Sequence, residues 1–280
     1  MYVCGQKSLT QRIDYLSDKD RFPRFSIIVG AVGFGKKVIS EYISQKIGAL
    51  FVPCETKIDA IREIRENAYN TTQRTLYMFA DCDGISSGAA NALLKVTEEP
   101  PNESYFIMTI TNLNNVLPTL ISRGTVFTMD NYTVSDINEF ITHKGIEFTD
   151  NIRNIVQDIS VCPNDVSLCQ STDIEKLYKL ADTFVNNIGV ANLGNELKIP
   201  TLLAIKDDDT DKLNPVLFLR YIMQKCNSLC VSDLENIEIY SKLIKITSSY
   251  LHTITTKGCN KQLELDNWII ECHVSVGGKI

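Results

Sequence analysis

The fold is decided by residues 76–101, which read LYMFADCDGISSGAANALLKVTEEPP. The apolar run 76–80, followed by a polar turn, is typical of a strand buried on both faces of a parallel sheet. Ser86 or Ser87 can cap the next helix, whose small and apolar residues recur at helical spacing. Pro100 and Pro101 then end that helix. The turn places polar side chains at the carboxyl end of a strand, where open α/β sheets bind ligands.

The first half of the chain alternates apolar segments with helical patterns. The segments predicted as strands are residues 25–30, 50–53, 75–80, 105–111 and 124–129. The segments predicted as helices between them are residues 36–47, 57–69 and 87–96. Strands that alternate with helices predict a doubly wound parallel sheet covered on both faces.

The second half changes character and predicts helices alone. Residues 134–168 suggest a small helical lid, and apolar residues then recur at helical spacing in residues 174–188, 215–226, 234–255 and 262–274. A charge-rich loop at residues 206–212 separates two of these helical stretches.

Three segments carry a resemblance to a known family. They are Asn91-Ala92-Leu93-Leu94-Lys95, Glu98-Glu99-Pro100-Pro101 and Ser122-Arg123. In this order and at these offsets they resemble the sliding-clamp loader subunits of the AAA+ class. Residues 259–268 are similar to an Asn-x-Gln-Leu-x-Leu-Glu pattern near the end of clamp-loader collar domains, with Asp266 in place of the glutamate. The resemblance implies a AAA+ parallel-sheet nucleotide-binding domain (1–130), a helical lid domain (131–172) and an all-α collar domain for oligomerisation (173–280).

A phosphate loop follows the first predicted strand. Residues 30–37 read GAVGFGKK and match G-x-x-x-x-G-K at the start of a helix. Gly30, Gly33 and Gly35 would let backbone N–H groups turn towards phosphates, and Lys36 would reach the terminal phosphates. The next residue should be Ser or Thr, whose hydroxyl binds Mg²⁺, but it is Lys37, which would repel a cation. The loop could hold ATP, but we expect neither Mg²⁺ binding nor metal-dependent hydrolysis.

Two further parts of the hydrolytic apparatus are altered by comparison with the family. The acidic pair that organises the metal and activates water falls on Ala80 and Asp81, so the first carboxylate is missing. Asp81 is a candidate general base or, alternatively, a turn carboxylate. The family also places an arginine that senses the γ-phosphate in the lid, and the matching residues 161–168 contain none.

By contrast, Arg123 is retained after Ser122. In the family this arginine projects into the ATP site of the neighbouring subunit, where it stabilises charge on the transferred phosphoryl group. The alternative is a surface arginine at the start of a strand. The residue after it is Gly124 where the family usually has Cys. Thr109, Thr111 and Asn112 lie where the family places its first sensor, and Thr111 is our candidate for nucleotide contact.

Composition limits the other functions. Nine irregularly spaced cysteines predict reduced thiols. The four-cysteine zinc module of bacterial relatives is reduced to Cys54 within residues 47–57, so no zinc is expected. No apolar run is long enough to span a membrane, and no secretory signal is apparent, so we expect a cytoplasmic protein. The net charge of −6 argues against coating of nucleic acid, and no basic residue of the first domain is assigned as a DNA contact.

Lost catalytic groups with a retained arginine finger most resemble the delta-prime type of DNA polymerase III clamp-loader subunit, bacterial or phage. The resemblance implies a hetero-pentamer with other loader subunits, a sliding clamp and primer-template DNA as partners. We therefore expect a subunit that does not itself hydrolyse ATP. An active ATPase motor subunit of the loader is the alternative, and a P-loop enzyme acting on a small substrate is a more distant one.

Overall fold

The computed structural model describes the chain except for residues 102, 189–192, 204–211, 256–258 and 278–280. The described residues form two compact units, Met1–Glu139 and Phe140–Ile280. The three-part division predicted from the sequence stays a prediction. The charge-rich loop predicted at 206–212 lies outside the described residues, apart from Lys212.

A five-stranded parallel sheet forms the centre of the first unit. Its strands are β1 (Phe25–Val29), β2 (Leu50–Cys54), β3 (Thr75–Phe79), β4 (Ser104–Ile110) and β5 (Thr125–Thr128). Their order across the sheet is β2-β3-β4-β1-β5. Every residue of β3 and β4 is buried, as expected of central strands covered on both faces. The edge strand β2 is partly exposed and contains Pro53, which an edge strand tolerates because one row of its N–H groups is unpaired.

Five helices connect and cover these strands. They are α1 (Lys7–Asp18), α2 (Lys36–Lys46), α3 (Ile58–Asn70), α4 (Ser87–Glu98) and the short α5 (Pro118–Ile121). The Ser86 hydroxyl caps α4 by accepting a hydrogen bond from the Ala89 N–H, 3.3 Å. The predicted strands and helices of this half are confirmed to within two residues at each end. Helices α1 and α5 were not predicted.

The second unit is built from helices. They are the end of α6 (Val134–Lys144), α7 (Asp150–Ile159), α8 (Pro163–Gln170), α9 (Ile174–Asn187), α10 (Leu193–Glu196), α11 (Pro215–Ser232), α12 (Ile237–Thr255) and α13 (Lys261–Ser275). Helix α11 packs against α7, α8, α9 and α12. The Trp268 ring is fully buried between Phe184 and Phe218, with ring centroids 4.9 and 6.0 Å away. The predicted α/β class with a helical carboxyl-terminal region is confirmed.

None of the helices in the described part of the chain is both long and apolar enough to cross a bilayer.

Candidate functional site

Three loops meet at the carboxyl edge of the sheet because β3, β4 and β1 are neighbours in it. The phosphate loop follows β1, Ala80 to Asp83 follow β3, and Thr111 follows β4. The sequence predicted ligand-binding residues on all three loops. The fold therefore brings Lys36, Asp81 and Thr111 to one edge, as the topology of a parallel sheet requires.

The phosphate loop depends on its glycines for shape. Gly33 and Gly35 have φ values of 83° and 87°, which are costly for residues with a Cβ atom. At Gly30 the limit is space, because a Cβ atom there would lie 3.0 Å from the Met129 sulfur. The loop geometry that the motif predicted is therefore present, with α2 beginning directly after Gly35.

Lys36 lies within the loop itself. Its Nζ donates hydrogen bonds to the carbonyl oxygens of Gly30 (2.7 Å) and Ala31 (3.1 Å). Burial lowers the pKa of this ammonium, and the carboxylates of Asp81 and Asp83 oppose that shift. A phosphate that binds the loop must compete with two carbonyl oxygens for Lys36.

Lys37 lies on the solvent side of the first turn of α2. Its side chain is 65% exposed, and its Nζ is 3.8 Å from the Glu41 carboxylate. An ammonium group cannot coordinate a metal ion. The position that supplies a Mg²⁺-binding hydroxyl in phosphate loops therefore carries a surface cation here.

Asp81 adopts a left-handed backbone conformation, with φ of 51°. Aspartate tolerates this conformation better than most residues do. Its N–H donates to the Thr109 hydroxyl, 3.1 Å, so the buried Thr109 connects the ends of β3 and β4. The Asp81 side chain is exposed and close enough to Lys36 to affect its pKa.

Asp83 was not predicted as a site residue, yet it organises this edge. Its carboxylate accepts hydrogen bonds from the Thr111 N–H (2.8 Å), the Thr111 hydroxyl (2.8 Å) and Asn115 Nδ2 (3.2 Å). Burial alone would raise the pKa of Asp83, but the hydrogen bonds from Thr111, Asn115 and Asn112 hold it below its usual range. The Asp83-Gly84 pair signals a turn in the sequence, but nothing local shows that Thr111 is its partner. The hydroxyl of Thr111, the residue predicted to contact nucleotide, therefore donates its hydrogen to Asp83.

Arg123 follows α5 and has a half-exposed side chain. Its NH1 donates to the Thr119 carbonyl oxygen, 2.9 Å. Its NH2 lies 2.8 Å from Glu98 Oε1, and the two side chains are 39% and 49% exposed. The guanidinium group is therefore held at the surface by contacts to α5 and to the end of α4.

Gly124 fits tightly against the sheet. A Cβ atom at this position would lie 2.8 Å from both Cγ1 and Cδ1 of Ile27 and 3.0 Å from Phe25 Cε1. The backbone that carries Arg123 therefore approaches β1 more closely than a cysteine would allow.

Residues 161–168, predicted to be part of a lid, contain no arginine, but one of them pairs with an arginine of another helix. Asp165 of α8 is buried and pairs with Arg220 of α11. The same carboxylate accepts hydrogen bonds from the backbone N–H groups of Val161 (2.9 Å) and Cys162 (3.0 Å). Arg220 stabilises the start of α8 and is bound to a buried carboxylate.

Three cations line a cleft of about 230 Å³ between α3 and α4. Arg62 and Arg65 come from α3 and Lys95 from α4, and Gly88 and Asn91 also line the cleft. Arg62 is also 3.5 Å from the exposed Asp59 carboxylate. The sequence did not show that these three cations line one cleft, because they lie on two different helices.

The described residues contain no cluster of three or more histidines, cysteines and carboxylates that could hold a metal ion. Burial raises the pKa of the Cys54 thiol to about 11, and a thiol in that state is a poor metal ligand.

Part of the chain is similar in sequence to subunits of DNA polymerase III. A family model described as DNA polymerase III, delta subunit, matches residues 42–133. A DNA polymerase III subunit gamma from Buchnera aphidicola is 26% identical over 191 residues, which cover 56% of this chain and 53% of that protein. The chain spans about half the length of the curated relatives it matches.

Solved structures show the same fold. The RuvB Holliday junction branch migration motor from Thermotoga maritima aligns with a TM-score of 0.51 and 16% identity over 82% of each chain. A DNA polymerase III gamma subunit-related protein from the same organism aligns with a TM-score of 0.50 and 16% identity, covering 94% of this chain and 99% of that one. At these identities the likeness shows the fold alone. The chain therefore has the fold of a parallel-sheet nucleotide-binding domain with a phosphate loop, and part of its sequence is similar to subunits of DNA polymerase III.

Proposed function

We propose that this protein is a clamp-loader subunit of the delta-prime type, which acts in DNA replication in the cytoplasm without hydrolysing ATP itself. It donates Arg123 to the ATP site of a neighbouring ATPase subunit. The assembly, a hetero-pentamer, opens a sliding clamp and places it on primed DNA. Nucleotide bound to this chain would be held by the backbone of the phosphate loop without a metal ion.

The observation that carries the proposal is the environment of Lys37. A surface ammonium paired with Glu41 replaces the metal-binding hydroxyl. Ala80 replaces the first carboxylate of the acidic pair, so neither of the two usual protein groups is present to hold Mg²⁺. This combination favours a subunit that assists catalysis elsewhere over an active motor subunit.

Arg123 supports the second half of the proposal. An arginine finger must be exposed, and its contacts within its own chain must be weak enough to break. The Arg123 side chain is 39% exposed. Its ion pair with Glu98 is itself half-exposed, and such pairs contribute at most about 1 kcal/mol. A phosphoryl group with greater negative charge can displace it.

The basic cleft between α3 and α4 is our candidate contact with DNA. Arg62, Arg65 and Lys95 have exposed side chains on facing helices, and exposed cations of this kind are the side chains that contact the phosphates of a nucleic-acid backbone. Three local cations are compatible with the net charge of −6, because phosphate contacts depend on the local surface.

The carboxyl-terminal helices are our candidate for subunit assembly, as the predicted collar at residues 173–280. Leu263, Ile270 and Val274 are 53%, 36% and 47% exposed and lie along one face of α13. Exposed apolar stripes of this kind are typical of contact surfaces. Ile270→Glu combined with Val274→Glu should abolish assembly while leaving the fold intact. Truncation after Thr172 is a poorer test, because it would remove Arg220 from the buried Asp165.

The decisive experiment replaces Arg123 by alanine in the complex that co-purifies with the tagged chain. Arginine fingers contribute about 10³–10⁵ in rate at the one site that depends on them. In a loader with several ATP sites we expect intact assembly, partial loss of clamp- and DNA-stimulated ATPase, and impaired clamp loading. Arg21→Ala, at another exposed arginine of the same unit, is the matched control. Normal ATPase and normal loading would refute the finger, and loss of assembly would make Arg123 a structural interface residue.

A further inference from the structure

Arg123 is held at two points of its own chain by two different elements. The Thr119 carbonyl oxygen, in α5, accepts from NH1 at 2.9 Å. The Glu98 carboxylate, at the last residue of α4, lies 2.8 Å from NH2. A guanidinium group has five N–H bonds in a rigid plane. The two contacts favour one orientation of this plane and leave donors for a further partner.

The backbone beneath both residues is firmly anchored. Leu120, three residues before Arg123, is fully buried and accepts hydrogen bonds from the Arg123 and Gly124 N–H groups, at 3.2 and 3.1 Å. Gly124 abuts Ile27 with no room for a side chain. On the other element, Val96 is buried in the same core, two residues before α4 ends at Glu98. The position of the guanidinium therefore depends on its side-chain torsions and on what holds them.

We propose that Glu98 is a positioning residue, which orders the Arg123 guanidinium before it enters the neighbouring ATP site. The inference rests on the proposed role of Arg123 as an arginine finger. A long arginine side chain loses much rotamer freedom when it is fixed, and Glu98 brings part of this ordering forward into the free subunit. Pre-organisation of this kind favours the transition state, because less ordering remains for the reaction step.

The exposure of the Arg123–Glu98 pair indicates whether Glu98 orients the arginine or holds it back from the neighbouring ATP site. Both side chains are accessible to water, at 39% and 49%, so the attraction between them is weak and is screened by salt. An interaction of this size biases the arginine about two- to five-fold towards one orientation. It is too weak to withhold the arginine from a phosphoryl group.

The ordering can be tested on the isolated chain. We expect Glu98→Gln to lower the NMR order parameter of the Arg123 Nε–H bond and to speed its exchange with water. The signal is assigned by its disappearance in Arg123→Lys. Glu99→Gln, one residue further along, removes a similar exposed charge and should leave Arg123 unchanged. An Arg123 signal in Glu98→Gln that is as ordered as in the wild type overturns the proposal.

The consequence for function is tested in the assembled complex by a double-mutant cycle. Glu98→Gln should lower the rate at the one ATP site that Arg123 serves about two- to five-fold. The stimulated ATPase of the whole complex should therefore fall by less than in Arg123→Ala, with the KM for ATP and assembly unchanged. In the Arg123→Ala background it should have no further effect. Stimulated ATPase that rises, or a loss of rate that persists without Arg123, overturns the positioning role. If Arg123→Ala itself changes nothing while Glu98→Gln still disorders Arg123 in the isolated chain, the finger fails and the ordering contact stands.

Discussion

Replacing Gly124 by alanine should destabilise the first unit by about 1–2 kcal/mol. The new Cβ atom would lie 2.8 Å from two carbon atoms of Ile27. Carbon atoms in contact prefer about 3.5–4.0 Å. Ile27 has no accessible surface and lies in β1, which is paired on one side with β4 and on the other with β5. It therefore has little room to move aside.

The magnitude follows from two opposing effects. Overpacking of a filled core costs about 1–3 kcal/mol. Alanine also reduces the freedom of the unfolded chain, which recovers about 0.4–1 kcal/mol. Gly124 is not one of the glycines with a positive φ, so backbone strain adds nothing to the cost of alanine. Cysteine at this position should cost more than alanine because its sulfur must also be placed.

The assay is urea unfolding followed by far-UV circular dichroism. Trp268 is the only tryptophan and lies in the second unit, so its fluorescence reports that unit separately. Ile27→Val removes one of the two crowding carbon atoms, so it should relieve the cost of Gly124→Ala by about 0.5 kcal/mol or more relative to additivity. It should not relieve Gly84→Ala, because nothing lies within 4 Å of a Cβ atom there and its cost comes from the φ of 71°. If Gly124→Ala is as stable as the wild type, or if the effects of Gly124→Ala and Ile27→Val on the free energy of unfolding simply add, the steric argument is refuted.

Three further predictions address the site and the second unit. The isolated chain should show no Mg²⁺-dependent ATPase, and Lys37→Thr should not restore it because Ala80 remains; turnover of about 1 s⁻¹, at the low end for enzymes, would contradict this. Asp83→Asn should lower stability by about 1–3 kcal/mol near neutral pH. Because the folded pKa of Asp83 is lowered, the wild type keeps this advantage above about pH 4 and loses it as the pH falls through the folded pKa, so acid and neutral urea titrations of both proteins should converge below that pH. Thr247→Val should cost about 1–3 kcal/mol, because Thr247 Oγ1 accepts the buried Trp268 Nε1–H at 3.1 Å; Thr247→Ser keeps the hydroxyl and is the control, with Trp268 fluorescence as the readout.

The sequence by itself determined the fold class and all five strands of the sheet, but not every helix. Buried parallel strands require apolar runs, and such runs placed β1, β3 and β4 within a residue of their observed bounds. Glycines in a strand-to-helix turn determined the shape of the phosphate loop, and Pro100 and Pro101 determined where α4 ends. Helix α1 was missed although Leu9 and Ile13 are buried at helical spacing, because Gln6 makes no side-chain cap and no start signal marks the helix.

Only the tertiary structure decided which side chains meet. Asp83 bonds Thr111 from 28 positions away, and Glu98 reaches Arg123 across two elements. Ile27 leaves no room for a side chain at position 124, and Arg220 of α11 pairs with Asp165 of α8. Local periodicity states which face of an element is buried, but it does not state which element lies opposite or at what register. Those contacts depend on strand order and helix packing, which are set by the core as a whole.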